Sequence, residues 1–187
     1  MLDRFILRST PVLALLFLCM SGCGELTEYD ARQVEEALQD SLLTTTESWN
    51  LEMEMMEEET RKMRLTGSYA VTSQGTEISK TTIHGPVHIL LFDSTGGITS
   101  DVRSGRASYH PQGRVFELFD SVRVVTDTGR QLRSNYLHWR QDLDEISSDR
   151  TVTIITEQDS IRGTGFRGKS DLSSYVITNP SGRLVID

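Results

Sequence analysis

Two stretches of this chain lie over one another without a gap: "ASYHPQGRVFELFDSVRVV" (107–125) and "LHWRQDLDEISSDRTVTII" (137–155). Tyr109 falls on Trp139, Phe116 on Ile146, Val122 on Val152 and Val124 on Ile154, each pair thirty positions apart. A looser earlier copy runs from Tyr69 to Gly85-Pro86-Val87-His88-Ile89. An aromatic, a turn, a strand, a turn and then Val-x-[Val/Ile] is a β-hairpin unit stacked several times. Repeats of such a period build a quasi-one-dimensional array in which each unit buries its face against its neighbours.

The flanking sequence has the same character. Turn signals break the chain at Ser73-Gln74-Gly75, Ser94-Thr95-Gly96-Gly97, Pro111-Gln112-Gly113, Asp127-Thr128-Gly129 and Asn179-Pro180-Ser181-Gly182. Trp49, Leu51, Met53 and Met55 alternate with Asn50, Glu52 and Glu54, the pattern of a half-buried strand. Alternation with Glu makes these methionines core rather than soft-metal ligands. No convincing helical pattern follows residue 60. The expected fold is all-β, with the folded domain spanning 49–187.

Residues 24–48 are polar and acidic. Val34, Leu38 and Leu42 fall at helical spacing, so this stretch reads either as a short amphipathic helix or as a flexible tether. Before it, Arg4 and Arg8 precede an apolar run from Pro11 to Met20, shorter than the roughly 20 residues a membrane-spanning helix needs. This is the layout of a secretory signal. It ends in Met20-Ser21-Gly22-Cys23, which resembles a bacterial lipobox with Met in place of the usual Leu. The expected organisation is a lipoprotein signal peptide over 1–22, then an anchor and tether over 23–48 that starts at an acylated Cys23. Cys19 and Cys23 are the only cysteines, so the exported domain is left without a disulfide.

Composition and motifs narrow the function classes. The net charge is -8, and the sequence shows no Lys/Arg cluster of the kind a nucleic-acid binder carries. "GTGFRGKS" (163–170) matches the phosphate-loop pattern G-x-x-x-x-G-K-[ST] letter for letter. A phosphate loop must open a helix whose N-terminus faces the phosphate. Here Val176, Ile177 and Thr178 follow, then Pro180, so no helix fits, and Gly163, Gly165 and Gly168 read as a bulge and turn between two strands. His84 and His88 stand roughly 13 Å apart on a strand, too far to share an ion. Asp142, Asp144 and Glu145 read as a solvated hairpin tip. No nucleophile–base pair is credible. The sequence offers no enzyme, no metal site and no cofactor site.

The run "GRQLRSNYLHWRQDLDEISSDRTVTIITEQDSIRGTGF" (129–166), preceded by "DVRSGRASYH" and "FELFDSVRVV", resembles the LptC family of lipopolysaccharide export proteins. The resemblance covers roughly residues 49–186. It implies an open, twisted β-jellyroll of stacked antiparallel hairpins with a groove for the acyl chains of lipopolysaccharide. Many members keep an uncleaved transmembrane helix, from which an acylated Cys23 departs. On this resemblance the inward, lipid-binding candidates are Val87, Ile89, Leu91, Val122, Val124, Trp139, Val152, Ile154, Ile161 and Phe166. The implied partners are the inner-membrane ABC transporter subunits LptF and LptG, with their ATPase LptB, and an LptA-like bridge protein. They would meet open edges at Trp49, Leu51 and Met53 and at Tyr175, Val176, Ile177, Leu184, Val185 and Ile186. The implied location is the periplasmic face of the inner membrane. The alternatives are an LptA-like periplasmic bridge, disfavoured by the lipobox, and a structural lipoprotein that binds only protein.

Overall fold

Alternating side chains and frequent turns favour strands, and ten of them form one antiparallel sheet in the computed structural model. The structure describes residues 27–41, 43–75 and 79–183; Cys19, Cys23, Leu42, Leu184, Val185 and Ile186 lie outside that set. Strands β1 (Thr44–Glu57), β2 (Thr60–Gln74), β3 (Ser79–Phe92), β4 (Ile98–His110), β5 (Val115–Thr126) and β6 (Gln131–Arg140) run as a meander. β7 (Glu145–Ser148) and β8 (Val152–Ile155) are the halves of one interrupted strand, both pairing with β6 and with β9 (Ser160–Lys169). β10 (Tyr175–Arg183) pairs with β9 at the far edge. The fold is all-β and jellyroll-like, as the repeat leads one to expect.

The repeat has a structural basis. Tyr109 pairs with Phe116 across β4 and β5, and Trp139 pairs with Ile146 across β6 and β7, at equivalent places in successive hairpins. The earlier copy is less regular: Tyr69 faces outward against Trp49 and His84 rather than into the core.

Before the sheet, residues Glu28–Ser41 form helix α1. Thr27 caps it, with its Oγ1 accepting from the Asp30 amide at 3.3 Å, and Glu28 and Asp30 sit at the favourable end of the helix dipole. The helical reading of this stretch is therefore the one the structure adopts.

A line of irregularities crosses the sheet at one level and bends it. Positive φ at Asn50 marks it in β1, the Gly85-Pro86 step in β3, Asp120 and Ser121 in β5, and Gly165 in β9. Register shifts mark it in β2 and β4, and the gap between β7 and β8 continues it. Each irregularity adds local twist and re-aims the following side chains. Thus Ser104 and Ala107 both face inward on β4, and Ser134 and Leu137 on β6, although each pair is an odd number of residues apart. At this line backbones approach closely. A Cβ on Gly85 would strike the Gly105 carbonyl, and one on Gly105 would lie 2.9 Å from Asp120 Cβ.

Bent in this way, the sheet rolls until opposite rims meet. Gln141, in the turn after β6, donates to Met55 Sδ at 3.1 Å near the far end of β1. Residues of the β9–β10 turn accept from Ser100 Oγ (3.1 Å, to the Ser170 carbonyl) and from Arg130 Nη1 (2.8 Å, to the Leu172 carbonyl). The roll encloses one core reaching from Met63 to Leu172.

Three expectations need correction. Strand β1 begins at Thr44, before Trp49, and Trp49 is 67% exposed because the positive φ of Asn50 breaks the alternation. Asn179-Pro180-Ser181-Gly182 is not a turn but part of β10, where an edge position leaves the missing proline N–H harmless. The three glycines of "GTGFRGKS" lie inside β9 rather than between strands, and the turn follows at 170–174.

Gly163 shows why that sequence is glycine-rich. A methyl group there would meet Ile177 Cγ2 and sit 2.6 Å from the Asn179 carbonyl oxygen of the neighbouring strand. Gly163→Ala should therefore cost about 1–3 kcal/mol, whereas Lys169→Ala, at an exposed position, should stay within about 0.5 kcal/mol. Thermal melts of the two variants check this. A larger loss from Lys169→Ala, or saturable ATP binding that it abolishes, would restore the phosphate-loop reading.

Candidate functional site: an apolar interior between two free edges

Cross-strand register assembles the interior one row at a time. Met53, Leu65, Ile89, Val102, Val124, Leu132, Ile154 and Ile161 are successive partners over eight strands. Side chains opposite one another on one face of a sheet touch, so the row is a continuous apolar strip. Nearer the other rim, Tyr109, Phe116 and Trp139 stack with centroids 4.4 and 5.4 Å apart.

Of the inward candidates, Val87, Ile89, Leu91, Val122, Val124, Trp139, Val152, Ile154 and Phe166 are buried in this one core, while Ile161 is half-buried beside β10. The structure adds Met63, Leu65, Val102, Leu118, Leu132, Leu137 and Leu172. Most of these were accessible by extending the alternation along their strands. Leu172 was not. It sits in a polar turn between Asp171 and Ser173, in the left-handed region at φ 55, yet it is wholly buried. It plugs the interior from the rim.

The interior is filled. The space bounded by Leu91, Val102, Leu118, Val124, Leu137, Trp139, Ile146 and Ser170 measures about 10 Å³, room for one water molecule at most. One buried donor stands out: Trp139 Nε1 has no hydrogen-bond partner. Leaving such a group unpaired costs about 1–3 kcal/mol. By contrast, Ser134 and Ser148 both donate to the Tyr136 carbonyl, at 2.9 and 2.8 Å.

The two outer strands are the other feature. Among the described residues, β1 pairs only with β2, and β10 only with β9. Along β1, Leu51 and Met53 pack inward while Trp49 stays exposed; along β10, Tyr175 and Ile177 pack inward and Val176 is 67% exposed. An unpaired edge of this kind is a template for another strand. On β1 the glutamates meet arginines of β2, Glu54 lying 3.0 Å from both Arg61 and Arg64. Polar side chains thus flank the edge without covering its backbone.

Several titratable groups of the sheet form structural pairs. His88 Nε2 lies 3.1 Å from Asp101 Oδ2. Burial raises the Asp101 carboxyl, but hydrogen bonds from Arg103 and His88 outweigh it and hold the group below its ordinary value. His84 and His88 do not converge, and no metal-binding cluster occurs among the described residues. Asp144 accepts from Ser170, and Glu145 accepts from Arg140 at 2.7 Å, which ties the acidic tip to its surroundings. Burial and a hydrogen bond to Glu117 push the Tyr136 phenol up to about 12.

No helix among the described residues is long and apolar enough to cross a membrane. No curated protein sequence matches the chain. The family model described as "Lipopolysaccharide-assembly, LptC-related" matches residues 11–179, most of the chain. Membership carries lipopolysaccharide transport and a periplasmic place associated with the inner membrane, in a family of transport components rather than enzymes. The rolled sheet, its apolar face and this match agree, and the chain belongs to the LptC family.

Proposed function

We propose that this protein receives lipopolysaccharide from the inner-membrane transporter subunits LptF and LptG, powered by LptB, and passes it to an LptA-like bridge. The acyl chains occupy the interior lined by Val87, Ile89, Leu91, Val122, Val124, Trp139, Val152, Ile154, Ile161 and Phe166. The observation that carries the reading is an apolar interior lying between two unpaired strand edges. Affinity comes from burying methylenes, each contributing about 0.8 kcal/mol, and the unpartnered Trp139 indole N–H offers a donor to an acyl carbonyl.

A filled interior must open before it can hold a chain. The element suited to move is the 170–174 turn, a single apolar plug held at the rim by bonds from Ser100 and Arg130. Photo-crosslinkers at Val124 and Ile154 should therefore capture lipopolysaccharide acyl chains. Crosslinkers at Arg123 and Thr153, on the opposite face, should not. Arg130→Ala, which frees the plug, should raise capture several-fold at the inward positions. Equal capture at both parities, or a drop on Arg130→Ala in a protein still folded by circular dichroism, would refute the groove or its gate.

The edges are assigned to the partners by strand addition, in which a free ladder is completed by a strand of the neighbour. β1, through Trp49, Leu51 and Met53, meets the transporter. β10, through Tyr175, Val176 and Ile177 and onward to Leu184, Val185 and Ile186, meets the bridge. A crosslinker at Leu51 should capture LptF or LptG and one at Val176 should capture LptA. The reverse pattern would exchange the edges, and the same partner at both would remove the relay.

The anchor follows from the lipobox-like Met20-Ser21-Gly22-Cys23. An acylated Cys23 would hold the domain on the periplasmic face of the inner membrane, and Cys23→Ala should abolish lipid labelling. An unmodified mature N-terminus beyond Cys23 in mass spectrometry would exclude it.

A further inference from the structure

The outward face of the sheet carries two rows in cross-strand register, of which the transport reading uses Trp49 alone. In the first, Arg103, Arg123 and Arg133 are direct neighbours on β4, β5 and β6, and the row continues through Thr153 to Arg162 on β9. Adjacent strands are about 4.8 Å apart, and like charges placed opposite one another destabilise a sheet. Arg103 has Asp101 at 3.2 Å. Arg123 and Arg133 share only the Gln131 amide oxygen, at 3.2 and 3.5 Å. Among the described residues, no carboxylate forms an ion pair with Arg123, Arg133 or Arg162. In a chain of net charge -8, unneutralised guanidiniums packed this closely call for an anion from outside.

The second row crosses the same face along the bend. Trp49, Tyr69, His84, Arg106, Phe119 and Tyr136 are successive cross-strand partners over six strands. Trp49, Tyr69 and His84 lie against one another as tilted rings with successive centroids 5.6 Å apart. The Arg106 guanidinium lies 4.9 Å over Phe119, and that of Arg150 lies 5.7 Å over Tyr136. Arg103 and Arg106 on β4, and Arg133 and Tyr136 on β6, are three positions apart, so the rows run roughly 10 Å apart.

We propose that this face docks on the surface of an anionic phospholipid bilayer, with Arg123, Arg133 and Arg162 taking lipid phosphates and the Trp49–Tyr136 row lying at headgroup level. Three observations favour a bilayer over a protein. Arg123, Arg133 and Arg162 all line one open depression of about 410 Å³ and so face the same side together. Guanidinium forks match phosphate oxygens. Amphipathic rings beside basic side chains are the composition of a membrane interface. The acidic remainder of the surface is repelled by the same bilayer, which sets the orientation. The family's place at the inner membrane keeps such a surface within reach.

The test uses the full chain with vesicles of phosphatidylcholine alone or mixed with phosphatidylglycerol, and reads quenching of Trp49 by brominated lipid. Trp139, buried inside, is the internal reference. Attachment through the N-terminal segment is common to both vesicle types, so the comparison isolates the face. Trp49 should be quenched and blue-shifted only with phosphatidylglycerol, and high salt should reverse this. The triple variant R123Q/R133Q/R162Q should weaken docking on the order of a hundredfold, at about 1 kcal/mol per basic residue. Its melting temperature should hold or rise, because a repulsive ladder has been removed.

Equal quenching on both vesicle types, or no loss in the triple variant, would overturn the proposal. Saturable pyrophosphate binding with no response to phosphatidylglycerol would make this a soluble-phosphate site and overturn it too. Self-association without vesicles that the triple variant abolishes would make it an interface between copies, with the same consequence.

Discussion

A single sheet has two faces, and when one is apolar and no second layer exists, the sheet must cover that face with itself. Everything else in this molecule depends on that constraint. Ten antiparallel strands supply the apolar face, and no disulfide helps to close it, both cysteines preceding residue 24. A regular pleated sheet twists but does not fold over. The bend comes from the line of bulges and positive-φ residues running from Asn50 to Gly165. That line turns a flat meander into a roll whose rims meet through Gln141, Arg130 and Ser100.

Rolling does not remove the edges. A closed barrel would pair its first strand with its last and leave nothing to template another chain. Here, among the described residues, β1 and β10 each keep one unpaired edge, and the irregular line that bends the sheet also sets where each edge strand points its side chains. Trp49 is the clearest case. Without the positive φ of Asn50 it would face the same way as Leu51 and join the core. With it, the ring lies on the outward face beside Tyr69. One backbone irregularity thus moves a large apolar group from the interior to the surface.

The fold was legible because its signal is local and repeated. The thirty-residue period and the alternation within each strand survive as Tyr109 against Phe116 and Trp139 against Ile146. The misreadings cluster where an irregular backbone overrides a local rule. Pro180 signals a turn unless the strand is an edge, and edge status follows from sheet order, which no window of sequence contains. Gly163 looks like phosphate chemistry until Ile177 and Asn179 are placed beside it. Leu172 carries no periodic signal, because its burial comes from the meeting of opposite rims. The outward arginine ladder was invisible for the same reason. Arg103, Arg123, Arg133 and Arg162 are scattered in sequence and become neighbours only through register.

A packed interior and a lipid-carrying interior are compatible if their energies are close and one element can move. An acyl chain of a dozen carbons brings about 10 kcal/mol of burial, comparable to the whole stability of a domain this size. Prising the entire roll apart would expose more apolar surface than one chain replaces, so opening must be confined. The 170–174 turn meets that condition. It is short, polar apart from Leu172, and its bonds to the far rim run through two side chains, Ser100 and Arg130. Segments with few buried apolar contacts are those that open locally at low cost. Ser170 of this turn borders the same small space as Trp139, whose indole N–H has no partner. The packed state leaves that donor without a partner, at a cost of about 1–3 kcal/mol.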